Sequence, residues 1–166
     1  MSTKENLEAA FAGESQANRK YLAFAKKADE EKLPQIARLF RAAAAAETVH
    51  ALAHFRVLDG VKSTAENLQA AIAGEAYESN VMYPEFVAEA EKDGNKRALV
   101  SFKNALDVEK IHHRLYSEAA DALQAGKDLP TGVVHVCEIC GNTVIGDVPD
   151  RCPICNAPRE RFTEVK

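Results

Sequence analysis

The chain has 166 residues, 46% of them hydrophobic and 28% charged, a balance that excludes general disorder. Its formal net charge of −4 argues against a nucleic-acid backbone or an anionic membrane as main partner. The longest apolar runs, Tyr21–Ala25 and Ala42–Ala46, span five residues each, far short of the ~20 of a transmembrane helix. The start, Met-Ser-Thr-Lys-Glu-Asn, shows no secretory pattern, so a cytoplasmic protein is expected.

Residues 2–125 are rich in Ala, Glu, Lys and Leu and poor in Gly and Pro, which predicts helix. Ser2 with Glu5 forms a capping-box pattern and opens a first helix that runs to about Lys32. Leu33-Pro34 breaks it, and Pro34 suits the first turn of a second helix, which ends near Asp59-Gly60. Ser63 with Glu66 opens a third helix, ended by Asp93-Gly94-Asn95. Pro84 lies inside this helix and must disturb its hydrogen bonds. A fourth helix runs to about Ala125, with Gly126 as its stop. Helices of ~25–30 residues, roughly 40 Å each, with short connections predict a mainly α architecture, a four-helix bundle over 1–126. Residues 127–132 form a linker with Pro130 and Gly132. Residues 133–166 are too few to fold on apolar burial alone, so a metal is expected to stabilise them.

The bundle repeats internally. Ala-Phe-Ala-Gly-Glu at 10–14 matches Ala-Ile-Ala-Gly-Glu at 71–75, and Glu47-Thr-Val-His50 matches Glu109-Lys-Ile-His112. Each Glu-x-x-His places both side chains on one helix face. With Glu14, Glu75 and Glu78 the set is that of di-iron carboxylate bundles plus one surplus carboxylate. Two divalent ions buried in a bundle need such charge compensation, and imidazole suits iron. A single oxo-bridged diferric pair is near neutral with either four or five carboxylates, so one carboxylate is free to exchange with oxidation state. Tyr21 lies seven residues after Glu14 and Tyr83 five after Glu78, as core aromatics or as phenols that hydrogen-bond a ligand. His54 lies one turn beyond His50 on the same stripe, as a support for the ligands or a packed histidine, and His113 is one residue off the ligand face, at the surface.

All four cysteines lie in two C-x-x-C pairs, Cys137/Cys140 and Cys152/Cys155. In a reducing compartment such pairs read as one tetrahedral tetrathiolate site for iron or zinc.

Together, the Glu14, Glu47-x-x-His50, Glu75-x-x-Glu78 and Glu109-x-x-His112 pattern and the C-x-x-C-G…C-P-x-C pattern resemble rubrerythrins over nearly the whole chain. The resemblance implies a ferritin-like bundle with a C-terminal rubredoxin-like domain. It implies a non-haem peroxidase that reduces hydrogen peroxide and takes electrons from NAD(P)H through a reductase or a carrier such as rubredoxin. By motif position, Glu47 and Glu109 bridge two irons, Glu14 is terminal on one, and Glu75 with His112 on the other. Glu78 and His50 exchange on the first iron with redox state, and Tyr21 and Tyr83 fall on tyrosine positions near the centre. The alternatives are a ferroxidase or iron-storage protein, and a zinc-ribbon module without catalysis. The four-cysteine domain follows the last helix and is expected at the bundle's end, some ~20 Å from mid-helix donors. A head-to-tail homodimer is therefore expected, with helix swapping and larger assemblies as variants of it and the electron path crossing between chains. The rival is a monomer whose linker, residues 127–132, folds the small domain back onto its own bundle, a strained reach of at most ~20 Å.

Overall fold

The computed structural model describes residues 2–166 and divides into two compact units, Met1–Lys62 and Ser63–Lys166. The first unit is a helical hairpin of α1 (Thr3–Glu30) and α2 (Pro34–Val57). The expected capping box forms: Ser2 Oγ accepts from the Glu5 N–H, and the Glu5 carboxylate takes the Ser2 N–H. The two helices meet along Ala25, Ala28, Ala37, Ala44 and Ala51, all buried. Such small side chains let the backbones approach closely. Asn18 spans the seam, its amide donating to the Ala44 carbonyl at 2.7 Å and to Thr48 Oγ1 at 2.9 Å. The left-handed residues that end α1 and α2 are Lys32 (φ 61°) and Asp59 (φ 53°). Gly60 serves another purpose, because a Cβ there would stand 2.2 Å from the Phe55 ring.

The second unit begins with α3 (Thr64–Tyr77), capped by the Ser63/Glu66 box. A π-helical turn, Glu78–Met82, follows, and α4 (Tyr83–Lys92) continues the rod. The predicted third helix thus carries a defect just before Pro84. The Tyr83 N–H reaches back five residues to the Glu78 carbonyl. Asn95 caps α5 (Lys96–Gln124) through a 3.1 Å bond from the Ala98 N–H, and Gly126 ends it in the left-handed region.

The C-terminal lobe is a three-stranded antiparallel sheet. β1 (Val134–Cys137) lies between β2 (Thr143–Ile145) and β3 (Phe162–Val165), with His135 opposite Val144 and Glu164. Its small core consists of Cys137, Cys152 and Ala157, with Cys140, Ile154, Cys155 and Phe162 packed on it. Thiols occupy the place of a hydrophobic centre.

The position of the lobe corrects the expectation that it sits at the bundle's end, and with it the distance argument for an electron path that crosses between chains. The chain turns back after Gly126, and β2 packs against α5 within the same unit. The extended linker can retrace the ~20 Å of helix between residues 112 and 126, because each extended residue covers ~3.3–3.6 Å.

Candidate metal centres

Two donor sets form on the helices, one in each unit. On the first hairpin, Glu14 of α1 meets Glu47 and His50 of α2, one ligand atom of each lying within 4.8 Å of the others. His50 Nδ1 is 2.9 Å from Glu47 Oε2 and 4.0 Å from Glu14 Oε1. In the second unit Glu75 of α3 meets Glu109 and His112 of α5 in the same arrangement. His112 Nδ1 is 2.8 Å from Glu109 Oε2 and 3.8 Å from Glu75 Oε2. The i,i+3 spacing brings each Glu–His pair together on its own helix, and the antiparallel partner supplies the third donor. His54 and His113 belong to neither set.

The second set is the more enclosed, its histidine side chain 26% exposed against 55% for His50. Burial, the hydrogen bond to Glu109 and the charges of Glu109 and Glu78 raise the Glu75 carboxyl from 4.5 to about 7. Burial, with the charge of Glu109, also raises Glu78, which His112 partly offsets. Glu75 Oε2 is buried without a hydrogen-bond partner. Clustered carboxylates with an orphaned oxygen beside an imidazole nitrogen fit a divalent cation, whose charge would reverse these shifts.

Glu78 stands outside the three-residue set and opens the π-turn. The internal repeat explains its position. Glu14 and Glu75 are 61 residues apart, but Glu47 and Glu109, like His50 and His112, are 62 apart. The step also lies between Glu75 and Tyr83, since Tyr21 and Tyr83 are 62 apart. One residue has therefore been inserted between them, and a π-turn is how a helix absorbs one residue without breaking. The change of offset was the available signal for this feature, which helix propensity does not show.

The tyrosines occupy equivalent aromatic groups. Tyr21 packs with Phe24 and Phe40 at centroid distances of 6.3 Å, and those two phenylalanines stand 5.6 Å apart. Tyr83 packs with Phe86 at 6.1 Å and Phe102 at 6.4 Å, with 5.5 Å between the phenylalanines. Burial first, then the charges of Glu109, Glu78 and Glu75, raise the Tyr83 phenol above its ordinary value. Tyr83 is thus coupled electrostatically to the carboxylates and stays protonated.

Cys137, Cys140, Cys152 and Cys155 bring their four sulfurs within 4.8 Å of one another. Cys137 and Cys155 Sγ are 3.7 Å apart, and Cys140 and Cys152 Sγ 3.6 Å apart. A tetrahedron of ~2.3 Å metal–sulfur bonds has edges of ~3.8 Å, so the thiols are already spaced for one ion. Burial opposes ionisation of Cys152, but the N–H groups of Cys155 and Ile154 outweigh it and bring the thiol to about 7. Burial raises the Cys140 thiol. The buried Asn142 amide points at Cys152 Sγ from 3.6 Å.

The two centres meet through side chains that sequence reasoning missed. His112 Nε2 lies 2.9 Å from Thr143 Oγ1 on β2, and Thr143 Oγ1 donates to the Gly141 carbonyl at 3.2 Å. Gly141 directly follows Cys140, and a Cβ on it would lie 3.8 Å from Val108 on α5.

Paired helical hairpins with carboxylate–histidine sets, joined to a four-cysteine lobe, define the ferritin-like class of non-haem iron proteins with a rubredoxin-like domain. The rubrerythrin family model matches residues 5–120, and that of the rubrerythrin rubredoxin-like domain matches residues 135–163. Rubrerythrin-2 of Clostridium acetobutylicum is 36% identical over 96% of this chain and 95% of its own. Nigerythrin of Nitratidesulfovibrio vulgaris is 38% identical over 98% of this chain and 86% of its own. A solved structure titled as fully reduced, all-ferrous nigerythrin matches with a TM-score of 0.59 at 37% identity, covering 99% of this chain and 87% of that one. The chain belongs to the rubrerythrin family. Its cofactors are the di-iron centre and the four-cysteine metal site of that family. No helix among the described residues is long and apolar enough to cross a membrane.

Proposed function

We propose that the protein is a cytoplasmic peroxidase that reduces hydrogen peroxide to water. The observation that carries this reading is the four-cysteine lobe seated on the helix that bears Glu109 and His112. An electron-carrying site placed against a carboxylate–histidine set serves repeated turnover, for which a storage protein or an inert zinc ribbon has no need.

When bound, the iron pair supplies two electrons that, with two protons, split the peroxide bond into two waters. The residues divide the remaining work. Glu47 and Glu109 would be shared between the two ions, Glu14 would hold one of them, and Glu75 with His112 would hold the other. Glu78 and His50 would exchange on the first ion. Exposed His50 can swing without disturbing a core, and Glu78 sits on a π-turn whose spare residue relaxes its backbone. Tyr83, held protonated, offers a hydroxyl donor beside the carboxylates, and Tyr21 is its counterpart. Electrons from NAD(P)H would arrive through a reductase or a rubredoxin-type carrier and would reach the carboxylate–histidine site by way of the four-cysteine site.

The working unit is a head-to-tail homodimer, in which a second copy covers the apolar side chains that each hairpin leaves exposed. Leu39 is 68% exposed and Val49 65%. Anaerobic reduction followed by stopped-flow mixing with peroxide tests the reading. The absorbance of the oxidised four-cysteine iron is expected to return within one turnover time. A colourless zinc protein, or iron uptake without peroxide consumption, defeats it.

A further inference from the structure

We propose that Thr143 is a positioning residue of the di-iron centre, so that one metal ligand is oriented by the four-cysteine lobe. The inference rests on the reading of His112 as an iron ligand. Its Nδ1 faces Glu109 and Glu75 at 2.8 and 3.8 Å. A metal on Nδ1 leaves the ring proton on Nε2, and the group facing Nε2 is Thr143 Oγ1 at 2.9 Å. The hydroxyl's own proton goes to the Gly141 carbonyl at 3.2 Å. Every donor and acceptor in this short chain then has one direction: imidazole N–H to hydroxyl oxygen, hydroxyl proton to carbonyl. The ring cannot turn over without forfeiting both contacts.

The arrangement is asymmetric between the two donor sets. His50 makes the equivalent Nδ1 approach to Glu47 at 2.9 Å, but its side chain is 55% exposed. The ligand proposed to exchange is the exposed one, and the ligand proposed to stay is held by Thr143.

The test uses the full-length, zinc-loaded chain, which is diamagnetic, and follows the His112 Nε2–H by proton–nitrogen NMR. In the parent protein this proton is expected to be hydrogen-bonded and slow to exchange. Thr143→Val keeps the shape and removes the hydroxyl. It is expected to speed that exchange at least ~tenfold and to weaken ferrous iron retention at the carboxylate site ~10-fold or more, the usual loss for a group supporting a metal ligand. Thr143→Ser restores both. A parent Nε2–H that exchanges like a free imidazole overturns the proposal, and needs no variant. So does a Thr143→Val protein unchanged in both readouts, or a Thr143→Ser protein that falls as far as Thr143→Val. None of these measurements uses peroxide. An inactive protein with a protected Nε2–H would refute the peroxidase reading alone, whereas an active one with an unprotected Nε2–H would refute the role of Thr143.

Discussion

Glu47 and Glu75 show how residues of one chemical type acquire different roles from their surroundings. As the proposed bridge Glu47 would serve two ions at once, so Glu47→Ala is expected to lose both helix-bound irons. It should retain the four-cysteine iron, whose ligands belong to a separate lobe. Metal analysis against visible absorbance checks this, and two irons persisting on the helices would remove Glu47 as a bridge. Glu75 makes a pH prediction. In the metal-free protein its carboxyl is raised from 4.5 to about 7, chiefly by burial and then by Glu109. A raised folded-state value means that the folded chain favours the protonated form. That stabilisation is fully present below about pH 4.5 and is lost as the pH climbs through about 7. The loss amounts to about 1–3 kcal/mol. Thermal melts of metal-free protein should therefore show a fall in Tm between pH 4.5 and 7 that Glu75→Gln flattens. Iron takes the place of the proton, so loaded protein should not show the fall.

The helices themselves differ in how they tolerate a change of length. Deleting Asn80 from the π-turn leaves a plain α-helix and restores the 61-residue offset. The expected cost is within about 1 kcal/mol, with unchanged far-ultraviolet circular dichroism. Deleting Ala17 from the regular helix α1 turns everything after it by ~100°. Ala25 and Ala28 then leave the seam, at a cost above about 3 kcal/mol. Equal destabilisation by the two deletions would contradict the insertion account. The helix limits were legible in the sequence because they rest on local chemistry: Ser2 and Ser63 with their glutamates, Pro34, Asn95 and Gly126. The donor pairs were legible for the same reason, as i,i+3 spacing on one helix settles them. The π-turn was not, because its residues have ordinary helical preferences and only the register against a distant repeat reveals it. Lys32 and Asp59 took the left-handed positions that glycine would mark. The seat of the lobe on α5 ranked second in the sequence because the reach of the six linker residues alone looked strained, whereas β1 continues the return along the helix.

At the level of the whole protein, the first hairpin buries only five alanines and Asn18, the second only Ser79, Ala90 and Val108, and Ile36, Leu39, Val49 and Val100 are left substantially exposed. Such surfaces call for a second layer of helices. Sedimentation at micromolar concentration is expected to give a dimer or a larger assembly. An 18.1 kDa species with full peroxide turnover would refute it. The lobe depends on its ion in a different way. Thiols form its centre, so a chelator strong enough to strip the four cysteines should abolish the sheet's slowly exchanging amides while the helical signal persists.

The single inserted residue near Glu78 has a further consequence. Two hairpins of identical design would surround two metals identically, and neither would be favoured to accept or surrender an electron first. Glu78 has no acidic counterpart in the first hairpin, where Gln16 and Ala17 occupy the matching stretch. One extra residue in one copy of a doubled hairpin thus makes the two donor sets unequal: the charge of Glu78 acts on the second set, and the first has no carboxylate to match it.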